Sequence, residues 1–294
     1  MMKIRSKFQA WFLQEDLNFL LTNRIPRITL TRLMGWWSKL EHPWLVQASI
    51  SVWRWFSDLD LHEAKHQHFT SVHACFTREL RPGLRPIDTD PNVMSSPSDA
   101  IVGACGEIRE GLVFQAKGFP YTLSSLLTST DLSQRWISLL EGGTFVTLRL
   151  TSSMYHRFHA PCDAHLSQVT YISGDTWNVN PIALNRVKEL FCKNERAVLE
   201  MTSADGMPFL IVPVAAVLVA SMRFHAVDVL LNLRYKGPNH IPCDADYPKG
   251  QEMGWFEHGS TILMFVPPGF DVADGIASGV RIRMGEALLR RRSD

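Results

Sequence analysis

The chain has 294 residues, of which 46% are hydrophobic, and carries a formal net charge of +1. It is long enough to bury a large core in one or two domains, and its near-neutral charge argues against nonspecific binding to nucleic acid. The five cysteines are scattered, odd in number and contain no C-x-x-C pair. This pattern favours core thiols in a reducing compartment over disulfides or zinc ligands.

The first 70 residues are predicted to be helical, with apolar segments at 11–21, 30–40 and 44–56. Aromatic and basic side chains mix within the second and third segments: Trp36, Trp37, Trp44, Trp53 and Trp55 accompany Arg27, Arg32, Lys39 and Arg54. Trp beside Arg and Lys on an amphipathic helix is typical of an interfacial membrane anchor. An aromatic-rich pair of core helices is the open alternative. The sequence has no secretory signal and no apolar run long enough to span a bilayer.

Beyond residue 77 the pattern changes to short β-type runs separated by Gly, Pro, Asn and Asp. The predicted strands are 100–102, 144–150, 168–172, 197–201, 209–219, 227–233 and 260–266, and the predicted helices among them are 123–127, 131–139 and 183–192. The sequence therefore predicts an α+β fold, in which N-terminal amphipathic helices (1–70) pack on a β-rich catalytic body (71–294) that resembles a sandwich or barrel.

A metal-binding motif is the first candidate for chemistry. His62-Glu63-Ala64-Lys65-His66 fits H-E-x-x-H, which on a helix brings two imidazoles to one zinc ion with the Glu as general base. The preceding Asp58, Asp60 and Leu61 look like a helix start, so the motif would fall in a frayed first turn. A zinc-dependent hydrolase is therefore kept as an alternative function only.

Three further residues supply the parts of a charge relay. Ser260 follows Gly259 at the start of an apolar run, His159 lies in Tyr155-His156-Arg157-Phe158-His159, and Asp99 follows a Pro turn. A triad is defined by the roles of its members and not by their order in the chain. Each residue also has a plainer explanation, since Ser260 and Asp99 suit turns and a histidine is often only a hydrogen-bonded core residue. His156 and His159 could instead share a metal or act as separate acid–base groups.

Several blocks together carry a resemblance. In chain order they are FTRELRPGLRPI (76–87), SPSDAIV (96–102), QAKGFPYTLSSLL (115–127), YHRFHAP (155–161), NERAVLE (194–200) and KGQEMGWFEHGST (249–261). With these blocks the chain resembles the phosphatidylserine decarboxylases of the bacterial and mitochondrial type, from about residue 69 to the C-terminal segment. The family uses no metal at the position of the HEAKH stretch.

The resemblance implies a self-cleaving proenzyme. Ser260 would attack the Gly259 carbonyl, with His159 as base and Asp99 as its orienting carboxylate, to give a β chain (1–259) and an α chain (260–294). The former Ser260 would become a pyruvoyl group that forms a Schiff base with phosphatidylserine and serves as the electron sink for loss of carbon dioxide. His156 would assist decarboxylation or protonate the substrate carbon, and the product would be phosphatidylethanolamine.

A lipid substrate favours the membrane anchor over the core for the N-terminal helices, so the membrane surface is an expected partner. Attachment to the cytoplasmic face of a bacterial inner membrane is expected, and further dimerisation is left open. The chain departs from the family pattern at Ala100, Met154, Pro213 and His258. Besides the decarboxylase and the zinc-dependent hydrolase, a noncatalytic lipid-binding relative is the third possible function.

Overall fold

The computed structural model describes residues 16, 19–20, 26–116, 119–128, 130–217, 221–232, 235–257 and 260–292. Most of the helix predicted at 11–21 lies outside these residues. Three helices come first: α1 (Arg27–Trp37), α2 (Pro43–Phe56) and α3 (Val72–Phe76). Pro43 suits the first turn of α2, where no intrahelical N–H donor is needed. No helix in the described residues is long and apolar enough to cross a membrane.

Among the residues described from Pro26 onward, the helical prediction for the N-terminal region holds only as far as Phe56. Residues 58–71 form turns and an isolated antiparallel bridge between Ala64 and Leu80. The Asp60 carboxylate accepts the His62 backbone N–H at 2.9 Å. This local Asx-type bond satisfies the backbone without a helix, which is why an Asp-rich stretch that resembles a helix start can remain a turn.

Seventeen strands make up the β part of the described fold. They are β1 (Val93–Ser95), β2 (Ala100–Glu107), β3 (Leu112–Ala116), β4 (Phe119–Thr122), β5 (Thr144–Leu150), β6 (Arg157–His159), β7 (Ala164–Ile172), β8 (Arg196–Ser203), β9 (Pro208–Ala215), β10 (Ser221–Phe224), β11 (Val227–Asn232), β12 (His240–Tyr247), β13 (Glu252–Phe256), β14 (Ser260–Val266), β15 (Phe270–Val272), β16 (Arg281–Ile282) and β17 (Ala287–Arg291).

The largest sheet has eight strands in the order β12-β7-β8-β9-β14-β5-β2-β16. β14 pairs antiparallel with β9 on one side and β5 on the other, and each of its residues is buried. Its alternate residues belong to two separate cores: Ile262 and Met264 to one, Leu263 and Phe265 to the other. A strand covered on both faces needs a continuous apolar run, which is the pattern that the sequence shows here.

A four-stranded sheet, β11-β10-β13-β6, packs on one face of the main sheet through the aromatic cluster of Phe158, Phe224 and Phe256. Two smaller sheets, β1-β17-β15 and β3-β4, complete the described β structure. Every pairing between these strands is antiparallel, and none of the four sheets closes on itself. The predicted α+β class is confirmed, with layered sheets as its β part.

Short helices cover the other face of the main sheet: α4 (Leu123–Leu127), α5 (Thr130–Leu140), α6 (Pro181–Leu184) and α7 (Leu190–Lys193). Leu126, Trp136 and Leu190 from three of them enter the second core. The predicted helix at 183–192 is thus two short helices. The interruption coincides with Glu189, which has a left-handed backbone (φ 52°) that a continuous helix cannot contain.

Candidate active site

Ser260 is the first residue of the buried central strand β14. Its backbone lies between Ala215 of β9 and Leu150 of β5. The residue is 0% exposed, and its Oγ atom has no hydrogen-bond partner among the described residues. A buried hydroxyl without a partner is costly in a folded protein, so such a group calls for a functional explanation. The two residues before it, His258 and Gly259, lie outside the described residues.

A cavity of about 580 Å³ reaches Ser260 from the side of the N-terminal helices. Its walls are mainly apolar: Trp37 comes from α1, Val52 and Trp53 from α2, and Phe76 from α3. The end of β5 forms the remaining wall together with residues 178–180. The helices therefore build one side of a pocket whose other side holds the candidate nucleophile. An apolar cavity with a few polar groups is the usual form of a small-molecule site.

His159 lies at the end of β6 with both ring nitrogens in contact with a partner. Nδ1 is 2.9 Å from the Gly250 carbonyl oxygen, and Nε2 is 3.0 Å from the Tyr155 hydroxyl. A carbonyl can only accept, so in the neutral ring Nδ1 carries the proton and Nε2 carries the lone pair. The backbone N–H of His159 donates to the Pro97 carbonyl at 2.8 Å.

Burial sets the protonation of both partners in this pair. It lowers the pKa of His159 and raises the pKa of Tyr155. Tyr155 therefore stays a phenol and donates to Nε2, while His159 stays neutral. The side chain is thus prepared as a base. To take a proton from Ser260, however, its Nε2 atom must exchange the Tyr155 hydroxyl for Ser260 Oγ.

Gly250 has a backbone that only glycine adopts without strain. Its φ is +83°, and a Cβ atom there would lie 2.7 Å from Cγ1 of Ile87. This conformation delivers the carbonyl that orients His159. The glycine lies in the KGQEMG part of a family-like block, so its presence was visible in the sequence, but its contact with His159 was not.

Asp99 has other partners than His159. Its Oδ1 accepts from Arg85 Nε at 2.8 Å and from the Met284 backbone N–H at 2.9 Å, and its Oδ2 lies 2.5 Å from Arg85 Nη2. No hydrogen bond joins the Asp99 carboxylate to His159 in the described residues. Its negative charge still raises the pKa of His159 as one of the smaller effects opposing burial. In this conformation the Gly250 carbonyl holds the orienting contact that the sequence analysis expected of Asp99.

His156 is 0% exposed and directly precedes β6. Its Nδ1 atom is 2.9 Å from the Met154 carbonyl oxygen, so in the neutral ring Nε2 is the basic nitrogen. The ring packs on Phe76, with centroids 3.9 Å apart, and Phe76 in turn lines the cavity that contains Ser260. The two histidines thus lie on one short segment in separate environments, one against Tyr155 and one against the cavity wall.

The H-E-x-x-H stretch lies in turns, not on a helix. Glu63 forms an ion pair with Arg85 at 2.7 Å, the same guanidinium that binds Asp99. Among the described residues no group of three or more His, Cys, Asp and Glu could hold a metal ion. His62 and His66 therefore lack the helical spacing on which the zinc hypothesis rested, and Glu63 has a structural partner.

Glu257 is a residue of the site that the sequence analysis missed. Its buried carboxylate lies three residues before Ser260 and contacts Lys39 at 3.2 Å, His73 at 3.3 Å and Ser221 at 2.9 Å. Burial opposes its ionisation, but His73 and Lys39 outweigh burial and lower its pKa to about 2. The ion pair ties the N-terminal helical region to the segment before Ser260. Glu257 stands inside the last family-like block, and that position is the only sequence signal for it.

Known proteins are similar to this chain over most of its length. A family model described as phosphatidylserine decarboxylase matches residues 72–290. A phosphatidylserine decarboxylase proenzyme of Aliivibrio salmonicida is 35% identical over 289 residues, covering 93% of this chain and 97% of the relative. The proenzyme of Aliivibrio fischeri is 34% identical, with the same coverage. That of Yersinia pestis is 32% identical over 90% of this chain and 92% of the relative.

The matches extend well beyond the residues around Ser260, into the helices and the surrounding sheets. These relatives are proenzymes, a class of proteins made as precursors. The chain belongs to the phosphatidylserine decarboxylase family. The resemblance inferred from the sequence blocks is confirmed.

Proposed function

We propose that the chain converts phosphatidylserine to phosphatidylethanolamine and carbon dioxide after cutting itself between Gly259 and Ser260. One observation carries the proposal beyond family membership: a fully buried serine hydroxyl without a hydrogen-bond partner in the described residues heads the central strand and opens on an apolar cavity. A turn serine would be exposed or would bond to its own backbone. Ser260 does neither.

Self-cleavage requires a base for the Ser260 proton. The neutral ring of His159 supplies one, because its Nδ1–H is held by the Gly250 carbonyl and its lone pair is on Nε2. Oγ then bonds to the Gly259 carbonyl carbon, the peptide C–N bond breaks, and the amine of residue 260 takes the proton, which leaves an ester. Asp99 acts on His159 through its charge, and through the loop that presents the Pro97 carbonyl.

The position of Ser260 also fits the group that the proposal requires. β-Elimination from the ester would release the 1–259 carboxylate and leave a dehydroalanine, whose imine tautomer would be hydrolysed by water to a pyruvoyl group with release of ammonia. That group would lie at the start of β14, next to the cavity on the helical side. That group supplies a carbonyl for the substrate amine and an electron sink for decarboxylation. The apolar wall of Trp53 and Phe76 keeps water from the departing carboxylate. His156, which packs on Phe76, is the proposed acid–base group for the substrate.

The decisive test is intact-mass measurement of the purified chain after incubation. We expect two polypeptides, 1–259 and 260–294, with the second lighter by one ammonia than a chain that begins with serine and resistant to amino-terminal sequencing. Carboxyl-labelled phosphatidylserine should release labelled carbon dioxide. A Ser260→Ala variant should remain a single inactive chain. A wild-type chain that stays uncut, binds vesicles and releases no carbon dioxide would instead support the noncatalytic lipid-binding alternative.

We propose further that residues 1–70 form a membrane-associating region on a catalytic domain of residues 71–294. α1 and α2 carry large apolar side chains in contact with solvent, among them Trp36 (62% exposed) and Trp44 (67%). Val52 is both exposed and part of the cavity wall, so the apolar surface is continuous with the cavity. Contact with a bilayer would bury these rings and let a phospholipid enter the cavity without crossing water. Peripheral attachment at the membrane follows.

Replacing both Trp36 and Trp44 by serine is expected to weaken binding to phosphatidylserine-containing vesicles by at least about tenfold, because each buried apolar side chain contributes about 2 kcal/mol. Vesicle co-sedimentation measures the effect. Self-cleavage should be unchanged, since neither ring lines the cavity. Phe114→Ser, which removes an exposed aromatic from β3, is the matched control. Equal vesicle binding by the double variant and the control would refute the anchor.

A further inference from the structure

Arg149 is a cation without an acid partner in the described part of the chain. It lies on β5, one residue before the end of the strand. Burial lowers its pKa, and its Nε atom is enclosed without a hydrogen bond to any described residue. None of the ion pairs among these residues includes it. A buried guanidinium is normally compensated by a carboxylate or by carbonyl oxygens, as the buried Arg196 is by four backbone carbonyl contacts.

Two threonine hydroxyls beside Arg149 are also buried without a hydrogen bond to any described residue. Thr147 precedes it by two residues on the same strand, and Thr261 lies directly opposite it on β14. Alternation along the strands places the three side chains on one face. Both threonines are 0% exposed, and neither Oγ1 atom has a hydrogen-bond partner in the described residues. The partly buried Arg149 guanidinium therefore lies beside two buried hydroxyls that have no acceptor among the described residues.

Space for a ligand exists on both sides of Arg149. The guanidinium borders the cavity that contains Ser260, and also a second cavity of about 1230 Å³ next to β2. Gly103, in the wall of that second cavity, packs closely against Thr147: a Cβ atom at position 103 would lie 3.0 Å from Cγ2 of Thr147. Ser260 pairs with Leu150 and Thr261 with Arg149, so the two positions are one register step apart. The Ser260 and Thr261 side chains point to opposite faces of the sheet. Near the end of β5 the first cavity is lined by both Ser260 and Arg149, but by neither threonine.

We propose that Arg149 binds the phosphodiester of the phospholipid substrate. The proposal rests on the proposed decarboxylase function. In phosphatidylserine the phosphate is separated from the amino-bearing carbon by one carbon and one oxygen, so an amine that reacts at residue 260 leaves the phosphate about one strand spacing away, near 5 Å. A guanidinium matches two phosphate oxygens in a fork.

The serine carboxylate is the other anion that Arg149 could hold, and the chemistry disfavours it. That carboxylate must lose its charge as carbon dioxide departs. A cation bound to it would stabilise the ground state more than the transition state and slow the reaction. The phosphodiester keeps its charge throughout, so binding it raises affinity without opposing the chemical step. Arg149 is therefore a determinant of substrate specificity.

Two substrates separate these roles: dihexanoyl phosphatidylserine, and O-hexyl-L-serine, which has the amine and carboxylate but no phosphate. In Arg149→Met we expect kcat/KM for the phospholipid to fall about 10–100-fold through KM, since a charge-assisted pair is lost. The value for O-hexyl-L-serine should change by less than about threefold. Arg149→Lys should recover part of the loss. Arg292→Met removes an exposed arginine paired with Asp271 and is the matched control.

The remaining outcomes decide the proposal. Equal losses on both substrates, or no loss on the phospholipid, would overturn it. Calorimetric binding of dihexanoyl phosphatidylserine to the uncut Ser260→Ala variant gives a readout that needs no activity, and adding Arg149→Met should weaken it at least about tenfold. If wild type neither cuts itself nor releases carbon dioxide, the proposed function fails, while this binding measurement still decides the phosphodiester site. Inorganic phosphate that binds as tightly as the lipid would point to a free-phosphate site and overturn the lipid assignment.

Discussion

Replacing His159 by alanine is expected to leave the chain almost entirely uncut. The neutral imidazole is the only basic side chain held against Tyr155 and the Gly250 carbonyl, and a general base contributes about 10²–10⁴-fold to such a step. Gel densitometry of the uncut chain over time measures the rate of cleavage. Burial lowers the pKa of His159, so the wild-type rate should stay at its plateau as the pH falls through the ordinary histidine range and decline only below it.

The geometry also predicts that removing the Asp99 charge slows self-cleavage less than removing the His159 side chain. Asp99→Asn keeps the shape of the loop but removes the charge that Arg85 binds and that raises the pKa of His159. Because no hydrogen bond joins Asp99 to His159 in the described contacts, we expect cleavage to slow about tenfold, less than in His159→Ala. His165→Ala, which removes a surface histidine paired with Asp246, is the control. Cleavage by His159→Ala at the wild-type rate, or equal effects of the two site variants, would contradict this order.

The strands nearest the site could be predicted from the sequence because burial on both faces leaves an unambiguous pattern. The apolar run 260–266 and the run 144–150 coincide with β14 and β5. The first run is bounded by Gly259 and Pro267 and the second by Gly143 and Thr151, so both begin and end at residues that favour turns or loops. The α+β class follows from the contrast between these runs and the helical periodicity before residue 57.

The contacts of the site could not be predicted in the same way. Gly250 and His159 are 91 positions apart, and they meet because β13 pairs with β6 in one particular register. Sequence spacing carries no information on that register. Asp99 shows a second limit. Its position after a Pro turn suggested an orienting carboxylate, but Arg85, fourteen residues earlier, competes for it with a fork of two bonds.

The zinc hypothesis fails for a related physical reason. A local motif such as H-E-x-x-H needs a helix to bring its imidazoles together. Residues 58–71 are instead held by a turn at Asp60, by the Ala64–Leu80 bridge and by the Glu63–Arg85 ion pair. The bond at Asp60 is local, whereas the Ala64–Leu80 bridge and the Glu63–Arg85 ion pair come from tertiary structure. Together they override the helical tendency of the segment. Arg85 forms ion pairs with both Glu63 and Asp99. The H-E-x-x-H stretch is therefore linked to the proposed site through Arg85, as structural support.

Substituting glutamine for His156 is expected to separate the two activities of the chain. The side chain packs on Phe76 at the cavity wall, while Tyr155 and Gly250 hold His159 independently. Self-cleavage of His156→Gln should therefore stay within about twofold of wild type, whereas carbon dioxide release should fall at least about a hundredfold through kcat, the effect of losing an acid–base group. Intact mass and labelled carbon dioxide are measured on the same preparation.

Folding must be monitored because His156 is buried. His156→Ala provides a second truncation, and thermal unfolding of both variants shows whether they keep the wild-type core. A folded and cleaved variant that still decarboxylates at the wild-type rate would remove His156 from the reaction. A folded variant that stays uncut would assign the residue to the cleavage step instead. Either result would contradict the proposal that His159 serves self-cleavage and His156 serves decarboxylation. That proposal rests on their separate environments. His156 packs on Phe76 at the cavity wall, whereas His159 contacts Tyr155 and the Gly250 carbonyl.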